Sequence, residues 1–72
     1  MVEIFKTNVN NKRLANKVLN SLNQCLPGHC FNFDLDDCDR ILRAQSGGCP
    51  VEIASIIQVV SGHLVEISLF EE

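Results

Sequence analysis

The chain has no tryptophan and no tyrosine, so its core must be built from aliphatic side chains and four phenylalanines. It has no basic run either. Its six Lys and Arg lie at 6, 12, 13, 17, 40 and 43, against nine Asp and Glu, for a net charge of −3. Nucleic acid wants a basic face, so this balance argues against it as a partner. The longest uncharged apolar run, Ile53 to Val60, contains Ser55 and Gln58. It is far too short to span a bilayer, and no membrane association is expected. Residues 1 to 10 hold no basic segment followed by an apolar stretch, so no secretory leader is expected. That places the chain in the cytoplasm, where thiols stay reduced. No internal repeat or low-complexity segment is found.

Seventy-two residues make one domain, spanning 1 to 72. A chain this short buries only roughly 60% of its unfolded surface. An apolar content of 46% suffices for one small core. Val2 to Val9 reads as a first strand, because Val, Ile, Phe and Thr suit a pleated, half-buried surface. Val2 and Ile4 point one way, Phe5, Thr7 and Val9 near the other, and the sequence leaves open which set is buried. Asn10 or Asn11 caps the helix that follows. Leu14, Val18, Leu22 and Cys25 or Leu26 recur at helical spacing, widened by Ala15 and Leu19. Pro27-Gly28 ends that helix near Cys25.

His29 to Leu35 is a second strand, with Phe31, Phe33 and Leu35 alternating against Asn32 and Asp34. A polar turn, Asp36 to Asp39, leads into a third strand over Arg40 to Gln45. Leu42 and Ala44 face inward there, with Ile41 and Arg43 on the open side. Ser46-Gly47-Gly48 breaks that strand. Pro50 suits the first position of a second helix and Glu52 its first turn, with Ile53, Ile56, Ile57 and Val60 as the apolar face. Ser61-Gly62 closes it. Leu64 to Phe70 alternates as a fourth strand. The order βαββαβ predicts an α+β, ferredoxin-like fold: a four-stranded antiparallel sheet with both helices on one face.

The segment KTNV-x-x-x-x-x-ANKVLNSL at 6 to 22 resembles the opening of heavy-metal-associated domains, the copper-chaperone and metal-ATPase module. Phe-x-Phe-Asp-Leu at 31 to 35 and the later elements resemble it too. The likeness implies the fold above and, in that family, a soft metal held between two thiolates of a Met-x-Cys-x-x-Cys loop. Here Val9 takes the Met position, and Asn11 and Leu14 take the two Cys positions. Neither supplies a thiolate, so no copper is expected at this loop. No cofactor, metal or catalytic residue is assigned. The leading expectation is a cytosolic binding or protein-interaction module, monomeric or a weak homodimer, associating through the open sheet face.

A second reading uses the cysteines. The topology brings Cys25, His29, Cys30 and Cys49 to one pole, and three thiols with an imidazole suit zinc or copper, or redox chemistry. The spacing Cys25-x4-Cys30 is not a common zinc knuckle. At the other pole gather Asn8, Asn10, Asn11, Asp36, Asp37, Cys38, Asp39 and His63, without the ligand rhythm of a calcium loop. Gly47-Gly48 lacks the Lys-Ser/Thr of a phosphate loop. Lys12, Arg13 and Lys17 read as a solvated helix face. No motif supports an enzyme.

Overall fold

A computed structural model describes residues 1–36 and 40–70. The elements follow the expected order: β1 (Val2–Thr7), α1 (Lys12–Cys25), β2 (His29–Asp34), β3 (Ile41–Ser46), α2 (Ile53–Ser61) and β4 (Ile67–Leu69). The strands lie in the order β2-β3-β1-β4, and every neighbouring pair is antiparallel. The fold is ferredoxin-like. No helix among the described residues is long and apolar enough to cross a membrane.

The register settles which side of β1 is buried. Phe5 lies between Leu42 of β3 and Leu69 of β4. Phe5 and Leu42 have no exposed surface. By the two-residue period of a strand, Glu3, Phe5 and Thr7 share the helix-bearing side, and Val2, Ile4 and Lys6 the other. The same side carries Ala44, Ser46, His29, Phe31 and Phe33. Ala15, Val18 and Leu22 of α1 and Ile56 and Val60 of α2 close over it. One layer of helices therefore covers one face, and among the described residues no element lies over the other.

Local chemistry explains the boundaries. Asn11 sits at the N-cap of α1 in extended backbone, and its side-chain oxygen accepts from the Leu14 N–H at 2.8 Å. At the far end, Leu26 N donates to Leu22 O at 2.8 Å, and Leu26, not Cys25, is the buried member of the stripe. Thr7 fastens the top of the sheet. Its hydroxyl donates to Arg40 O at 2.7 Å and accepts from Val9 N at 3.3 Å. Arg40 adopts a left-handed φ of 49°, which delays β3 to Ile41. Gly48, at φ 118°, takes a backbone conformation that a side chain would strain.

Two expectations need correction. The second helix does not start at Pro50: Glu52 is its N-cap residue and Ile53 its first position. The Ser46 hydroxyl donates to the Cys49 carbonyl and Ile53 N donates to Val51 O, so the connection is spent on turns before the helix begins. The fourth strand is shorter than Leu64 to Phe70. Leu64 N still donates back to Ser61 O, and Leu64 has a φ of 61° with its side chain 95% exposed. Val65, expected on one side of this strand with Ile67 and Leu69, is buried, but in the loop rather than the ladder.

The two sides of β1 should respond differently to truncation. Phe5→Ala should cost about 3–5 kcal/mol, the range for emptying a closed core site, and Ile4→Ala under about 1 kcal/mol. Urea denaturation of the two variants checks this, and similar losses would mean that the buried side is misassigned.

Candidate functional site

Three places in the sequence were weighed for chemistry, and the structure shows where their described residues lie. The first is the loop between β1 and α1. Val9 is fully buried in the core. Leu14 is half-buried and packs against that core. Asn11 is occupied by the helix cap, and its amide nitrogen donates to Asn10 Oδ1 at 3.1 Å. The three positions that would hold a soft metal in a Met-x-Cys-x-x-Cys loop are thus an apolar core residue, a cap and a core-edge residue. The donor set holds no thiolate, and its one amide oxygen already accepts an N–H. These residues do not fit copper.

The second place is the pole with Cys25, His29, Cys30 and Cys49. Cys25 ends α1 and is exposed. Cys49 lies in the exposed loop after β3, its carbonyl bound by Ser46. His29 and Cys30 are consecutive in β2, so their side chains leave opposite faces of the sheet. Cys30 stands on the open face, opposite Gln45. His29 points to the helix side, buried, stacked on Phe31 with ring centroids 5.9 Å apart. Among the described residues no three His, Cys, Asp or Glu side chains are grouped to hold a metal ion.

His29 has a different task, which the sequence reading missed. Its Nε2 accepts from the Glu52 N–H at 3.3 Å. The ring proton therefore belongs on Nδ1. The α2 N-terminus has no side-chain cap of its own, and its first N–H groups need acceptors. His29 supplies one from the neighbouring sheet. The two-residue period shared with Phe31 and Phe33 was the available signal, since it already put His29 among the buried side chains.

The third place is the opposite pole. Asn8 is used up in joining β1 to β4: its N–H donates to Glu66 O at 3.2 Å and its side-chain oxygen accepts from Glu66 N at 3.0 Å. His63 Nε2 lies 2.8 Å from Ser21 Oγ, which ties the α2–β4 loop to α1 instead of to the acidic turn. Asp36 is exposed. Asp37, Cys38 and Asp39 lie outside the described residues.

What remains is the bare sheet face. Val2 is half exposed, and Ile4, Ile41 and Phe70 are partly exposed on it. Ile4 lies opposite Arg43, and Ile41 opposite Lys6. Phe70 N donates to Ile4 O at 2.8 Å, and the Lys6 ammonium stands 6.0 Å from the Phe70 ring centre. The centre of this face therefore alternates aliphatic and cationic side chains, with Asn32 and Asp34 toward β2. A groove of about 420 Å³ runs between α1 and the outer strand β2, lined by Ala15, Asn16, Leu19, Phe33 and Leu35, with Lys12.

The chain matches no family model, no curated protein and no solved structure.

Replacing His29 by Leu keeps an apolar volume but leaves the Glu52 N–H without its acceptor. It should cost about 1–3 kcal/mol, whereas Cys30→Ser on the open face should stay within about 0.5 kcal/mol. Thermal denaturation of both checks this, and the reverse ranking would remove the capping role of His29.

Proposed function

We propose that this protein is a small cytosolic interaction module, similar in form to heavy-metal-associated domains but without their copper site. The observation that carries the reading is the bare sheet face. Apolar side chains from β1, β3 and the segment after β4 lie there between cations, and no helix among the described residues covers them. Scattered exposed hydrophobes are ordinary, but adjacent ones on a flat sheet offer area to a partner. Val2, Ile4 and Phe70 are neighbours in register, and Ile41 is diagonal to Ile4.

The likeness to the heavy-metal-associated family rests on two supports. One is the element order and strand order. The other is the KTNV…ANKVLNSL segment, which falls at the strand-to-helix junction where that family keeps its metal. A metal or redox role for Cys25, His29, Cys30 and Cys49 is the weaker reading, because His29 and Cys30 leave opposite faces.

Two experiments test these statements. A partner retained by the immobilised protein should be lost with an Ile4→Asp/Ile41→Asp variant whose denaturation midpoint is unchanged. Equal retention by both would dismiss the open face as the binding surface. Separately, native mass spectrometry with copper(I) or zinc, beside a thiol count, should find four free thiols and no stoichiometric metal. With all native cysteines replaced by serine, the Asn11→Cys/Leu14→Cys chain should take up one copper(I). Failure of that gain would argue against the family likeness.

A further inference from the structure

We propose that two copies of this chain pair through the outer edge of β2 to form one continuous antiparallel sheet. The main-chain groups on that edge follow from the ladder. Ser46 exchanges hydrogen bonds with Met1, N to O at 2.9 Å and the reverse at 2.8 Å. Ser46 therefore faces β1, and by antiparallel alternation Gln45, Arg43 and Ile41 face β2. Their partners Cys30, Asn32 and Asp34 face back. The N–H and C=O groups of Phe31 and Phe33 must then point away from the sheet.

The two edges of the sheet are unequally guarded. The outer strand β4 is only three residues long, and a very short edge offers few main-chain groups to another chain. The outer strand β2 is six residues long and holds no Pro, Lys or Arg. Its one acidic residue, Asp34, is at its end. Natural sheets usually blunt a long edge with charge, Pro or a bulge, and β2 has no such charge or Pro along His29 to Phe33.

The charge pattern selects the occupant and its direction. An antiparallel second copy centred on Asn32 puts Phe31 opposite the partner's Phe33, Asn32 opposite the partner's Asn32, and Cys30 opposite the partner's Asp34. No charge meets a like charge. Phe31 and Phe33 would form two bonded pairs, about four new hydrogen bonds. Centring on Asp34 would instead oppose two carboxylates. The helices agree. α1 carries Lys12, Arg13 and Lys17 in its first half and no charged side chain from Val18 to Cys25. The dyad sets the basic half of one α1 beside the uncharged half of the other, where the helix dipole is negative. A parallel pairing would crowd the basic halves together. The groove between α1 and β2 leaves room at this edge for the incoming chain.

The test uses the full chain. Sedimentation equilibrium should show a monomer–dimer equilibrium with a Kd at or below about 1 mM. Asn32→Lys, a change at an exposed side chain, should weaken it about fivefold, because two like charges would face each other at the dyad. In a chain with its native cysteines replaced by serine, Asn32→Cys should cross-link readily on mild oxidation, since residues at the dyad form a close, non-bonded pair. Gln45→Cys, exposed on inner strand β3, should not. A monomer at every concentration, a dimer indifferent to Asn32→Lys, or equal cross-linking at 32 and 45 would each overturn the pairing.

Discussion

The contact between Phe5 and its cross-strand neighbours Leu42 and Leu69 fixes the rest of this molecule. β1 is an inner strand, hydrogen-bonded to β3 on one side and β4 on the other. Phe5 stands at the row where all three meet, with no surface exposed. A strand shifted by one residue would turn Phe5 to solvent and bring Ile4 and Lys6 under the helices. A lysine there would lack water for its charge, so one register is strongly favoured. Once that side is fixed, the helices have only one face to cover. Val18 and Leu22 from α1 and Ile56 and Val60 from α2 are then pulled onto it by the apolar area they remove from water.

The polar groups at both ends of the sheet hold this arrangement together. Asn11 caps α1, His29 caps α2 from the sheet, Thr7 holds the entry to β3, and Asn8 extends the pairing of β1 with β4. Among the described residues, no side-chain nitrogen or oxygen is buried without a hydrogen-bond partner. In a domain this small each such bond matters, since the net stability is a narrow difference between large terms. Asn8, Asn11, His29 and His63 are committed to such bonds, while the thiols of Cys25, Cys30 and Cys49 are free and exposed. Beside those thiols, what is left uncommitted is geometric: an open face and a long outer strand.

Much of the fold was legible in the residues. Phe31-x-Phe33 and Leu42-x-Ala44 announced their strands by strict alternation, and the stripe from Leu14 to Leu26 announced α1. The ambiguous cases had physical causes. β1 has apolar side chains on both faces, so alternation alone could not orient it; the cross-strand partners Leu42 and Leu69 did. Pro50 satisfied a local rule for a helix start, yet the turns around Ser46, Cys49 and Val51 took up those residues. Leu64 was placed at the start of the fourth strand but sits in a left-handed turn that propensity does not foresee. For the candidate sites, the topological reading placed Cys25, His29, Cys30 and Cys49 at one pole, but among the described residues no three such side chains are grouped. It did not register that consecutive strand residues diverge, nor that an acceptor was wanted at the α2 N-terminus.

The most direct test of the central arrangement is a nuclear Overhauser map of the sheet in solution. The Phe5 ring should show contacts to the methyl groups of Leu42 and Leu69 and to Val18 or Leu22 of α1, while Ile4 shows contacts across the sheet but none to either helix. Contacts from Ile4 to the helices, with the Phe5 ring free of them, would contradict the burial of this face and everything placed upon it.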